Sequence, residues 1–190
     1  MNDLGLKVVD GLKLDPARRA LLRPGESVAD RAGRQHRLPR FFYEIDSWEQ
    51  AKATEVSPHF RLAELISVDC REAPLLLETF PHYVPCAVSI LCQYLEAFRQ
   101  RVDALVFVSA NGGYRSPAHA LSRGASAHMW ATAANIYRVG DTWLDTRSEI
   151  ENFADVARAV APEFFAKPFG HEENASDDHF HVDIGYVSFV

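Results

Sequence analysis

The stretch from Pro85 to Ser109 constrains the fold most. Val88, Leu91, Cys92, Leu95 and Phe98 recur every three or four residues, with Gln93, Glu96 and Gln100 between them. That spacing predicts an amphipathic helix over 85–102. Almost at once the pattern changes to Leu105-Val-Phe-Val-Ser109, a continuous apolar run of the kind that makes a buried strand. A helix feeding into a buried strand requires a sheet with a helix packed on it.

The other segments fit that requirement. Asp15 to Leu22 reads as a short helix with Asp15 as N-cap and Pro16 at its first position, stopped by Arg23-Pro24-Gly25. Phe41 to Ile45 reads as a strand, and Ser47 caps a short helix from Trp48. Phe60, Leu62, Leu65 and Ile66 are apolar at mixed spacing, and His59 beside them reads as a surface or capping histidine. Ala131 to Val139 is a strand turned by Gly140-Asp141, with Trp143-Leu144 returning as a hairpin. Thr146 to Ala161 is a second helix, striped by Ile150, Phe153, Ala154, Val156, Ala157 and Val160. His179 to Phe189 alternates as a closing strand. Helices and strands are grouped rather than regularly alternating, so the expected class is α+β, a small antiparallel sheet with flanking helices.

A chain of 190 residues is long enough for one domain with a sizeable core. The expected division is an N-terminal arm or extension over 1–56, packing on a domain over 57–190. The formal charge is −6, and basic residues are scattered apart from Arg31–Arg40, so no phosphate-tracking stripe is present and no nucleic-acid partner is expected. The segment 31–40 itself reads as a solvated loop or arm. No apolar run approaches the roughly 20 residues of a membrane span. The N-terminus shows no export signal, which leaves a cytoplasmic, phage-encoded or separately exported protein as the expectation. The three cysteines, Cys70, Cys86 and Cys92, have no paired spacing, and the last two read as small buried hydrophobes. Oligomeric state is not written in any pattern here.

Chemistry concentrates in two places. The first is Ser109-Ala-Asn-Gly-Gly-Tyr-Arg-Ser-Pro-Ala-His119, followed by Ser126-Ala-His128 and Asn135. Asn111-Gly112-Gly113 reads as a turn that exploits glycine's permissive dihedrals, placing Tyr114 and Arg115 at a strand end. The second is Asp177-Asp-His-Phe-His-Val-Asp183, where His179, His181 and Asp183 share one face of a strand and Asp178 stands at its entrance. Imidazole and carboxylate are the ligands zinc takes where one position is kept open for water. Two such clusters beside strands point to one metal site closed by the fold.

The order Gly113-Tyr-Arg-Ser-Pro117, Ser126-Ala-His128, position 135, then Asp178-His-Phe-His181-Val-Asp183 resembles the zinc peptidoglycan peptidases. These are the D-Ala-D-Ala carboxypeptidases, D-Ala-D-Ala dipeptidases and L-Ala-D-Glu endolysins on the Hedgehog/DD-peptidase fold. Phe60-Arg-Leu-Ala-Glu64 is similar to the segment that opens that domain in endolysin-like members, so the resemblance covers roughly residues 57–187. It implies one Zn2+ per chain, with His128, position 135 and His181 as metal ligands. It also implies Asp178 as general base, His179 as a transition-state stabiliser, and Arg115 as the group that polarises the scissile carbonyl or holds substrate. Tyr114 and Ser126 would contact substrate, which would be a peptidoglycan peptide. The chain departs from the pattern at Asn135, where the family has an aspartate ligand, and at Ala131, where it has glycine. A neutral amide in place of a carboxylate weakens zinc binding. Two function classes are therefore expected to compete: a zinc peptidase, and a catalytically impaired homologue that binds peptidoglycan or protein.

Overall fold

A computed structural model describes residues 4–66, 83–119, 121–170 and 178–189. The chain is a mixed α/β protein built on small antiparallel sheets with few helices. Strands β1 (Val8–Asp10), β4 (Phe41–Glu44) and β7 (Tyr83–Pro85) form one three-stranded sheet, in the order β1-β4-β7. The larger sheet centres on β9 (Ala133–Val139), which pairs antiparallel with β8 (Val106–Val108), β10 (Thr142–Trp143) and β12 (Phe180–Asp183). Strand β11 (Phe165–Ala166) joins on the far side of β12. Two small ladders complete the set: β2 (Ser27–Ala29) with β3 (Gln35–Arg37), and β5 (Glu55–Ser57) with β6 (Phe60–Arg61).

Helices α1 (Pro16–Leu22) and α2 (Trp48–Ala53) start where the sequence placed them. Asp15 and Ser47 accept the orphan amides of Arg18 and Gln50. Helix α3 (Val88–Val102) begins three residues later than the apolar period predicts, because Pro85 closes β7 and Cys86-Ala87 form the turn. Its buried stripe, Val88, Leu91, Cys92, Leu95 and Phe98, packs in one core with Ala134 and Ile136 of β9, Phe180 and Val182 of β12, and Ile150, Ala154 and Ala157 of α4 (Arg147–Arg158). Burying each large apolar side chain there stabilises by roughly 1.5–3 kcal/mol relative to exposure.

The first 56 residues enter that same core through Ile45, Ala51 and Val56, and β4 pairs with β7. The basic segment 31–40 holds the turn and second strand of the β2-β3 hairpin, and most of it is exposed, as expected of a solvated loop or arm. Asp30 organises it by accepting hydrogen bonds from the Ala32 and Arg34 amides and from the Arg34 guanidinium. The hairpin leans on the rest of the protein. Leu38 packs with Met129 and Trp130, the Trp130 indole N–H donates to Arg37 O at 2.9 Å, and the His36 ring lies 3.8 Å from that of Tyr186.

The closing strand is much shorter than its alternation implies. β12 stops at Asp183, because Asp183 Oδ1 accepts the Gly185 amide at 2.8 Å and Gly185 takes φ +74. An aspartate accepting from the amide two residues on turns the chain out of the ladder. Cys86 and Cys92 are buried free thiols as expected, and burial pushes Cys86 up to about 12. Cys70 and Asp177 lie outside the described residues. Among the described residues, no helix is long and apolar enough to cross a membrane.

Candidate functional site

The site begins with the loop 109–115, wedged between two other backbones. Asn135 N donates to Gly112 O at 2.8 Å, Ser109 N donates to Asn135 O at 2.9 Å, and Tyr114 N donates to Leu65 O at 2.7 Å. A Cβ on Gly112 would lie 2.6 Å from Asn135 O, and one on Gly113 would lie 2.2 Å from Leu65 O. Neither glycine has positive φ. The expected turn is present, with Gly112 N donating to Ser109 O at 2.8 Å, but the expectation that it exploits glycine's permissive dihedrals is corrected. Both glycines are required by close approach of backbone to backbone, a different use of the missing side chain.

That wedge aims a carbonyl. Gly113 O accepts from His128 Nδ1 at 2.8 Å, which puts the proton on Nδ1 and leaves the lone pair on Nε2. His128 sits on a 3-10 turn, Ala127–Trp130, whose four residues are all buried. The turn ends at Ala131 in the left-handed region, at φ +56, one of the few described non-glycine residues there. Glycine adopts that conformation more readily; this chain carries a methyl group through it. His128 is held well below the usual histidine range, first by burial, then by the positive charge of Arg115, with His181 and His179 acting in the same direction. A neutral, tautomer-fixed imidazole is the form that binds metals.

The next two residues come together through strand register. Asn135 of β9 and His181 of β12 are directly opposed, which puts both side chains on one face. His181 Nδ1 lies 2.9 Å from Asn135 Oδ1, and His181 Nε2–H donates to Asp183 Oδ2, also at 2.9 Å. With the ring protonated, both nitrogens donate; with the Asn135 amide turned over, its Nδ2–H donates to Nδ1 and the ring stays neutral. The His181 and His128 rings meet edge to face, with centroids 5.1 Å apart. The three sequence-derived ligands, drawn from a 3-10 turn and two strands, are therefore in one place.

Arg115 borders this group. Its amide donates to His128 O at 3.1 Å, and its guanidinium forks onto Asn111 O through Nε at 2.8 Å and Nη2 at 2.5 Å. His179 precedes β12 rather than lying within it, and its Nδ1–H donates to Asp178 Oδ1 at 2.6 Å. The Asp178 side chain is 68% exposed, at the mouth of the strand. Ser126 occupies the N-cap of the 3-10 turn, half-buried and making no capping bond through its side chain. Tyr114 is placed differently from its expected substrate contact: it is 3% exposed and packs in the main core, because its backbone bridges to Ile66. His59, outside this group, donates to the buried Glu96 from its backbone amide at 2.7 Å, with its ring Nδ1 2.9 Å from the same carboxylate.

Two contributors were not singled out by sequence reasoning, the carbonyls of Gly113 and Asn111. Backbone oxygens leave no residue signal. Asp183 was visible as part of the acidic cluster, and its spacing of two from His181 on a strand is the signal for a same-face partner.

As a metal site, the donors are His128 Nε2, His181 Nδ1 and Asn135 Oδ1. Their types suit a divalent ion such as zinc, and the fixed tautomer of His128 and the carboxylate behind His181 are the outer-shell features metal histidines require. What the set lacks is charge. Among the described residues, no three His, Cys, Asp or Glu side chains group as a metal would need, and the third donor is a neutral amide. In donor type and grouping the three residues would suit such an ion, and the neutral amide would weaken its binding relative to a carboxylate. No family model, curated protein or solved structure matches this chain.

Proposed function

We propose that this chain is a zinc-dependent hydrolase of peptide bonds in peptidoglycan stem peptides, of the D-Ala-D-Ala carboxypeptidase or endopeptidase type, on a Hedgehog/DD-peptidase-like fold. The observation that carries this reading is the grouping of His128, Asn135 and His181, with His128 fixed by Gly113 O and His181 backed by Asp183. A domain with only a structural role has no need of that arrangement together with an adjacent arginine and an Asp-His pair.

His128, Asn135 and His181 would hold the ion, which supplies Lewis acidity and a water acidified towards neutral pH. Asp178 is the group that takes up the proton, and His179, donating to its Oδ1, holds the carboxylate in orientation. Arg115, already clamped by Asn111 O, presents positive charge to a carbonyl oxygen as it becomes an oxyanion, with little reorganisation.

The test is zinc titration of metal-stripped protein, followed by incubation with stem-peptide fragments ending in D-Ala-D-Ala or containing an L-Ala-D-Glu bond. The expected result is about one zinc per chain, with cleavage lost to chelator and restored by zinc. Absence of binding with zinc in excess refutes the hydrolase. One observation favours a second reading. The amide at position 135 lets His181 satisfy both ring nitrogens without an ion, which suits a module that binds peptidoglycan or protein without catalysis. Retention of fragments on zinc-free protein, without cleavage, would identify that role.

A further inference from the structure

We propose that Asp183 is a positioning residue that, acting through His181, supplies the negative charge the metal site lost at Asn135; this rests on the zinc reading above. The register of β9 and β12 opposes Asn135 and His181 and pairs Asp183 with Ala133, so all three residues share one face. Asp183 uses both oxygens. Oδ2 accepts from His181 Nε2 at 2.9 Å and Oδ1 accepts from the Gly185 amide at 2.8 Å, which fixes the carboxylate plane. Both side chains of the pair are only 17% exposed, so solvent screens the interaction weakly.

The consequence follows from imidazole chemistry. A carboxylate holding the Nε2 proton commits the lone pair to Nδ1, the nitrogen that faces Asn135. In a ligand set of two imidazoles and an amide, no donor bears charge. The Asp183 carboxylate is then the anion that the described structure places in contact with the set. In a chain with aspartate at 135, that task would be shared. Loss of Asp183 should therefore weaken zinc binding more in this sequence than in one with the carboxylate ligand restored.

The experiment is zinc affinity by competition with a chromophoric chelator, on full-length wild type, Asp183→Asn, Asn135→Asp and the double variant. Asparagine at 183 keeps an oxygen for the Gly185 amide and removes the charge, and thermal unfolding of the metal-free proteins checks that each folds. Asp183→Asn is expected to weaken zinc binding about 10–100-fold in wild type. The loss should be at least threefold smaller in the Asn135→Asp background. A merely structural role would produce the same loss in both backgrounds. Equal losses, or no loss, with zinc still bound by wild type overturn the role of Asp183 alone. No zinc on any of the four proteins overturns the metal reading, and this proposal with it. A second measurement does not depend on a variant: imidazole 15N spectra of zinc-loaded wild type should show the His181 proton on Nε2, and a proton on Nδ1 overturns the proposal.

Discussion

Gly113→Ala tests the wedge on which the site is built. The added Cβ would start 2.2 Å from Leu65 O and 2.3 Å from Leu65 C, where real Cβ atoms keep at least 3.0 Å. Backbone rather than a flexible side chain is in the way, so one of the two chains must move by most of an ångström. One hydrogen bond crosses that gap, Tyr114 N to Leu65 O at 2.7 Å, and a second, His128 Nδ1 to Gly113 O at 2.8 Å, depends on where Gly113 sits. Leaving buried partners such as these unsatisfied costs about 1–3 kcal/mol each, so the variant should lose about 2–6 kcal/mol. That is a large share of the 5–15 kcal/mol typical of a folded domain. The assay is urea unfolding at equilibrium, with imidazole 15N spectra reporting the His128 tautomer. Gly25→Ala is the control: φ is +74 there and nothing lies within 4 Å, so only roughly 1–2 kcal/mol of left-handed strain is introduced. A Gly113→Ala protein as stable as that control, with the His128 proton still on Nδ1, would refute the close-approach argument.

On the proposed hydrolase reading, Asp178→Asn should abolish peptide turnover while leaving zinc content unchanged; turnover at wild-type level removes Asp178 from the base role. Ala131→Gly should change stability by less than about 1 kcal/mol. Relief of roughly 1–2 kcal/mol of left-handed strain is offset by loss of a buried methyl, about 0.8 kcal/mol, and by extra unfolded-chain entropy, about 0.4–1 kcal/mol. Ala134→Gly, buried in β9 with no positive φ to relieve, should lose the full amount in the same unfolding assay, and equal losses would count against strain at 131. Asp10 is held down to about 2, first by its hydrogen bonds to Arg40. Because the folded value lies below the unfolded one, its stabilising effect is complete above about pH 4 and is lost as pH falls towards 2. Asp10→Asn should flatten that part of a thermal-stability profile measured from pH 2 to 6, and an unchanged slope would contradict it.

Local rules carried part of the fold. Asp15 and Ser47 capped their helices because a side-chain oxygen three residues before an orphan amide is satisfied without distant help. The stripe of α3 was legible because a period near 3.6 has one way to bury itself. The end of β12 was misread because alternation continues past Asp183, while the turn there depends on a side-chain hydrogen bond to Gly185. Tyr114 differs for a related reason: next to Arg115 in sequence it reads as a site residue, and only tertiary packing buries it in the core beside the bridge to Ile66.

Residue type alone determined which chemistry was available here: two imidazoles, a neutral amide at Asn135, an arginine and an Asp-His pair. The tertiary structure decided how those groups meet. Strand register opposed Asn135 to His181 across residues far apart in the chain, and the wedge of Gly113 against Leu65 aimed the carbonyl that fixes His128. Neither register nor a backbone carbonyl leaves a mark in a side-chain alphabet, because both are set by how separate segments pack.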